Sequence, residues 1–128
     1  MRFNEADPLG IVWHGHYVRY FEDGREDFGK KYGVSYLDFY HNHIVVPIVS
    51  IQCDYKKPVR YGDTVAVHTT YEPTLAAKFI FRYAVYELRK QELVATGSST
   101  QVFVDRDTFN LHLTSPEFFS AWKSKWKV

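Results

Sequence analysis

The chain has 128 residues, 45% hydrophobic and 18% aromatic, which suits one folded domain with a sizeable core and leaves no length for a second. Sixteen Lys and Arg against fifteen Asp and Glu leave a formal charge of +1, so no net field marks a nucleic-acid binder. Cys53 is the only cysteine, which excludes an intrachain disulfide and fits a reducing compartment. No apolar run approaches the roughly 20 residues of a membrane span, and Met1–Glu5 lacks the apolar core of a signal peptide. A cytoplasmic protein with no membrane partner is expected.

Met1–Glu5 reads as a short strand. The segment EADPLGIVWHGHYVRYFEDGRE, Glu5–Glu26, then passes from carboxylates through Pro8 and Gly10 to His14 and His16. Tyr17, Tyr20, Phe21, Gly24, Phe28 and Tyr32 recur at helical spacing and predict a long helix with one aromatic face. Arg19, Glu22, Asp23, Glu26, Asp27, Lys30 and Lys31 form its polar face, with Arg19–Asp23, Glu26–Lys30 and Asp27–Lys31 spaced for surface pairing. Gly15 suits the N-cap and Gly33 a left-handed stop. Gly24 costs the helix about 1 kcal/mol relative to Ala, which makes sense if another backbone comes close.

From Val45 the period becomes two. Val49, Ile51, Cys53 and Tyr55 alternate with polar residues, as in a half-buried strand. RYGD at Arg60–Asp63 is a turn, and Val65, Val67, Thr69 and Tyr71 mark a second strand ended by Pro73. Phe79–Leu88 is a third strand, with aromatics on both faces, so pattern alone does not show which face is inward. RKQE, Arg89–Glu92, turns into a fourth, Leu93–Val104. Ser115 and Pro116 open a last helix as N-cap and first helical residue. Consecutive strands with tight turns favour an antiparallel meander covered by the long helix, an α+β architecture within a single domain, 1–128.

The histidines raise the question of a metal. Neither His14/His16 nor His41/His43 has the H-E-x-x-H spacing of a helical zinc pair, and no metal site is expected.

Glu5, Asp7, Gly10, Ile11, Val12, Trp13, His14, Tyr17, Phe21, Glu22 and Arg25 together resemble the opening motif of the hot-dog-fold acyl-CoA thioesterases of the 4-hydroxybenzoyl-CoA type. YKKPVRYGD, Tyr55–Asp63, and VFVD, Val102–Asp105, resemble two further motifs of that family. The resemblance covers nearly the whole chain. It implies a curled antiparallel sheet around a central helix, a homodimer or homotetramer with interface active sites, and hydrolysis of acyl-CoA to a free acid and CoA without a cofactor. Relatives carry several residues before the position of Met1, so the first strand is expected to be a stub here, or the natural start to lie upstream.

The resemblance also assigns roles. Asp7 matches the catalytic carboxylate, acting on water as general base or attacking the thioester directly; on its own, Asp7–Pro8 would read as a turn. The first amides of the long helix, Gly15 to Tyr17, match the group that receives the thioester oxygen, since helix-start N–H groups lack intrahelical partners and carry partial positive charge. Gly15 would let substrate approach, or simply cap the helix. His14 would orient Asp7, bind the acyl group or close the turn, or be an ordinary hydrogen-bonded histidine; His16 is a weaker match. Tyr17 would line the acyl tunnel or belong to the core. Glu22 pairs with Arg25 or stands in as an alternative carboxylate. Lys57 and Arg60, with Lys56, suit CoA phosphates or form a solvated hairpin tip. The rival functions are an acyl-carrier-protein thioesterase or dehydratase on the same fold, and a non-catalytic acyl-CoA-binding protein.

Overall fold

A computed structural model describes residues 15–60 and 62–128, with side chains from Tyr17 onward. The strand expected at Met1–Glu5 lies outside the described residues, as do Asp7 and His14. The long helix, α1, spans Gly15–Tyr32. Its aromatic face is the buried one, with Tyr17, Tyr20 and Phe21 in the core. Gly33 follows at φ +77°, the left-handed conformation that stops a helix at little steric cost. Of the surface pairs, Glu26–Lys30 closes at 3.4 Å. No Glu22–Arg25 ion pair forms among the described residues, because Arg25 reaches inward to the Tyr83 hydroxyl at 3.0 Å.

A second helix, α2 at Tyr36–His41, follows within a few residues. Its start is a capping box: the Asp38 amide donates to Ser35 Oγ at 3.3 Å, and the Ser35 amide donates to the Asp38 carboxylate at 2.9 Å. The S-x-x-D spacing was the legible sign of it. Phe39 pins this short helix to the core against Phe79, Phe103 and Phe119.

Among the described residues, six strands form the sheets: β1 Ile44–Val45, β2 Ile48–Tyr55, β3 Val65–Glu72, β4 Lys78–Glu87, β5 Glu92–Val102 and β6 Val104–Asp105. The four long ones form an antiparallel sheet in the order β2-β5-β4-β3, while β1 pairs with β6. The expected meander holds for β3, β4 and β5 and fails for β2, which pairs with β5 instead of β3. The reason is the connection. Nine residues separate Tyr55 from Val65, too many for a tight hairpin, and they cross three inter-strand gaps of about 4.8 Å each. The Arg60–Asp63 turn sits within this crossover, closed by the Asp63 amide to the Arg60 carbonyl at 3.0 Å.

Two boundaries move. The run predicted as Leu93–Val104 breaks at the fully buried Phe103, after which β6 leaves the large sheet for β1. The last helix, α3 at Glu117–Trp126, begins one residue later than expected, because Pro116 has ψ 152° and is itself the N-cap. Its Trp122 donates from Nε1 to the Tyr32 carbonyl at 2.8 Å, satisfying an orphan acceptor at the end of α1.

The inward face of β4, ambiguous in sequence, is Phe79, Phe81, Tyr83, Val85 and Glu87. Phe21 of α1 stacks on Tyr83 at 4.3 Å and 7°. Tyr83 is paired across the ladder with Gly97, and a Cβ on Gly97 would meet the Phe21 ring at 2.5 Å. The missing side chain is what lets the helix settle onto the sheet. Gly24 serves the same contact one turn on, although the approach comes from the side chains of Val67 and Thr69 and not from backbone. β2 departs from its expected half-burial: Ile48, Val49, Ile51 and Tyr55 are exposed and only Cys53 is partly covered, since α1 lies over the other three strands.

Candidate active site at the start of the long helix

The first turn of α1 begins at Gly15, and its amides lack intrahelical acceptors. No acidic residue occupies that turn, so nothing in it offsets the partial positive charge of the helix start. The side chain of His16 is outside the described residues. Tyr17 turns its ring into the protein, edge-on to Tyr55 at 5.1 Å and to Tyr20 at 5.8 Å. Burial, then the neighbouring Cys53 and Tyr55, push its hydroxyl up to about 12. At neutral pH Tyr17 is a protonated phenol.

This shift has a measurable consequence. The unfolded phenol titrates near 10 and the folded one near 12, so between those values the native state holds more protons. The contribution is complete below pH 10 and is lost as pH rises through 12, at about 1.4 kcal/mol per unit. A spectrophotometric titration should show a late tyrosine, and the urea midpoint should fall above pH 10. In Tyr17→Phe the late component should shrink by one tyrosine, since burial also raises Tyr83.

Beside Tyr17, the Cys53 thiol is also held above its ordinary value, by burial first, with the Tyr55 hydroxyl bond acting in the opposite direction. A thiol raised in this way is a poor nucleophile. The strand that carries Tyr55 runs directly into Lys56 and Lys57, whose amides both donate to the Val94 carbonyl, at 2.8 and 3.1 Å. The helix start and the basic segment are thus brought to one side of the sheet. The Lys57 ammonium is paired with Glu92 at 3.3 Å, while Arg60 is exposed and its amide donates to Asp63 at 2.8 Å.

His41 and His43 stand apart from this site. The His43 Nδ1 lies 2.7 Å from Arg106 Nη2, and among the described residues no group of three His, Cys, Asp or Glu side chains could hold a metal ion.

A buried polar relay was not anticipated. Arg25 Nη1 donates to Tyr83 Oη at 3.0 Å, and Tyr83 and Ser99 hydroxyls lie 2.6 Å apart, with both residues almost fully buried. Since Tyr83 accepts from Arg25, its own proton is free for Ser99. Burial raises the Tyr83 hydroxyl, opposed by Ser99 and Arg25. The only legible hint was E-x-x-R on the helix.

Among the described residues, three cavities border these elements. One of about 420 Å³ lies along α1, walled by Glu22, Arg25, Phe39, Val46, Phe79 and Phe81. A larger cleft of about 620 Å³, near His43, Asp105, His112 and Glu117, sits at the start of α3, whose Trp122 packs at the opposite end of α1. A third, of about 220 Å³, lies further along α1 between Gly24, Phe28, Tyr32, Val67 and Thr69, so the 420 Å³ cavity is the one that comes nearer the helix start.

The family model described as the thioesterase-like superfamily matches residues 1–123. The chain is 35% identical to the "Putative acyl-CoA thioesterase YneP" of Bacillus subtilis (strain 168), over 85% of this chain and 78% of that one. The crystal structure of the DHNA-CoA thioesterase of Staphylococcus aureus superposes with a TM-score of 0.87 at 30% identity, covering 99% of this chain and 84% of that one. A mutant 4-hydroxybenzoyl-CoA thioesterase complexed with 4-hydroxybenzoyl-CoA superposes at 0.80 with 22% identity, covering 95% and 92%, and shares the fold. The chain belongs to the thioesterase-like superfamily and has the hot-dog fold, an antiparallel sheet wrapped on a central helix. It is a thioester hydrolase of that superfamily.

Proposed function

We propose that the protein hydrolyses acyl-CoA thioesters at the start of α1. The observation that carries this reading is a helix first turn whose amides have no intrahelical acceptors and which holds no acidic residue, on a helix that lines a cavity from Glu22 onward. Amides around Gly15 to Tyr17 receive the thioester oxygen and stabilise the charge that develops on it. Asp7 delivers water as general base or attacks the carbonyl itself, and His14 and His16 flank the reacting group. The acyl chain runs along α1 towards Glu22, and Lys57 and Arg60 meet the CoA phosphates, with Lys57 exchanging Glu92 for its ligand. No cofactor takes part. The test is release of CoA thiol from a panel of acyl-CoAs. Turnover with matching free acid supports the reading, while saturable binding without thiol release favours a binding protein.

The working unit is a dimer built on β2, or a tetramer of two such dimers. Support comes from β2 itself, an edge strand of the sheet among the described residues, with Val49 59% and Tyr55 51% exposed, an apolar edge that few proteins leave uncovered. Sedimentation should give at least a dimer mass. Ile51→Lys, a charge placed on this strand, should shift the protein to monomer and remove turnover together.

The compartment is taken to be cytoplasmic. No helix among the described residues is long and apolar enough to cross a membrane.

A further inference from the structure

Arg25 is an unusual cation for its surroundings. It is half-buried, yet among the described residues its hydrogen-bond partner is the neutral Tyr83 hydroxyl, and no carboxylate pairs with it. A guanidinium has five N–H donors, and a partly desolvated one without acceptors is costly. The nearby acids do not supply them. Glu26 is engaged with Lys30 at 3.4 Å, and Glu22 is exposed and unpaired with Arg25. Arg25 instead lines the cavity of about 420 Å³, whose inner wall is Phe39, Val46, Phe79 and Phe81 and whose other walls carry Glu22, Glu26 and Lys30.

The side chain is also fixed. The buried Ser99 hydroxyl holds Tyr83 at 2.6 Å, and Tyr83 holds Arg25 at 3.0 Å, so the donors do not swing freely. A held cation with unused donors, set against the apolar inner wall of a cavity, is a recognition device for an oxygen acceptor. Its distance from the reacting carbonyl follows from the helix. Tyr17 and Arg25 are eight residues apart, roughly 12 Å along the axis at about 1.5 Å per residue. Arg25 leans back towards Phe21, which covers Tyr83, so the span to be bridged is nearer 6–12 Å, about four to eight residues of rise.

We propose that Arg25, positioned by Tyr83 and Ser99, reads a hydrogen-bond-accepting oxygen at the far end of the acyl group. The enzyme accordingly prefers a medium-length acyl chain bearing a distal oxygen to the same chain without one. The proposal rests on the thioesterase reading above and on the acyl group lying along α1. Arg25 contacts the substrate; Tyr83 and Ser99 act through it as positioning residues.

The test compares kcat/KM for octanoyl-CoA, ω-hydroxyoctanoyl-CoA and suberoyl-CoA. The parent should favour at least one oxygenated ester over octanoyl-CoA by about tenfold, as one charge-assisted hydrogen bond of about 1.5 kcal/mol requires. A hydroxyl and a carboxylate offer the same acceptor chemistry, and the two oxygenated arms show which is preferred beside Glu22. Arg25→Met should bring the ratio close to one, and Arg25→Lys should restore part of it. Tyr83→Phe, which keeps the ring, should lower the ratio through KM with kcat less affected. Equal kcat/KM for all three esters in the parent would overturn the proposal and leave the hydrolase reading intact. So would a preference that survives in a folded Arg25→Met. Hydrolysis of none of them would overturn both.

Discussion

Asp7→Asn is expected to lower kcat for acyl-CoA hydrolysis by about 10²–10⁴-fold, the usual contribution of a positioned general base, while substrate still binds. The carboxamide keeps the shape of the side chain and a hydrogen-bonding oxygen, so the unfolding midpoint should hold. Only the negative charge, and with it the capacity to take a proton from water or to attack a carbonyl, is removed. Asp7→Ala should be at least as inactive. Steady-state release of CoA thiol, with urea unfolding of both variants, checks this. Full activity in a folded Asp7→Asn would transfer the catalytic role to another carboxylate, and Glu22 on α1 is the next candidate.

The largest effect on stability is expected at Phe21. Its ring is fully buried, stacks on Tyr83 at 4.3 Å and fills the space above Gly97. Phe21→Ala removes the contact that seats α1 on the sheet and should cost about 3–5 kcal/mol. The denaturation midpoint should fall with the denaturant slope unchanged. A residual cavity between helix and sheet would leave the Arg25–Tyr83 bond without its cover, so activity should fall in the surviving folded fraction too. A cost under about 1 kcal/mol, the range of a tolerated surface change, would mean that α1 is held chiefly by its later contacts with Thr69, Phe81 and Trp122.

The helix was legible because period, surface charge and the Gly33 stop all agreed over Gly15–Tyr32. The strands were legible as elements but not as a topology. Alternation shows that Val49 and Ile51 share a face; it does not show that β2 pairs with β5 across the sheet and lies largely outside the cover of α1. That is a tertiary fact, set by a nine-residue crossover whose length was visible and whose RYGD turn drew the eye to a hairpin. The inward face of β4 was hidden because both of its faces carry aromatics, and Gly97, the opposing residue that decides the matter, is distant in sequence. The Arg25–Tyr83–Ser99 relay was hidden for the same reason: its bonds span 58 and 16 residues of chain.

Of the candidate site, the structure describes the start of α1 at Gly15 and the buried ring of Tyr17. The motif gave Tyr17 a choice between tunnel and core. The structure sets its ring against Tyr20 and Tyr55 in the core, while its backbone stays in the first turn of α1. Lys57 was read from charge alone, which cannot reveal that Glu92 already sits 3.3 Å from it.

In the proposed reaction the amides opening α1 polarise the thioester. The most direct measurement is the vibrational frequency of the ¹³C-labelled thioester carbonyl of whichever acyl-CoA the parent turns over fastest, bound to the slow Asp7→Asn variant. Hydrogen bonding to the helix start should weaken the C=O bond and move its stretch to lower frequency than in free acyl-CoA. A bound carbonyl with the frequency of the free ester would mean that the helix start does not polarise it.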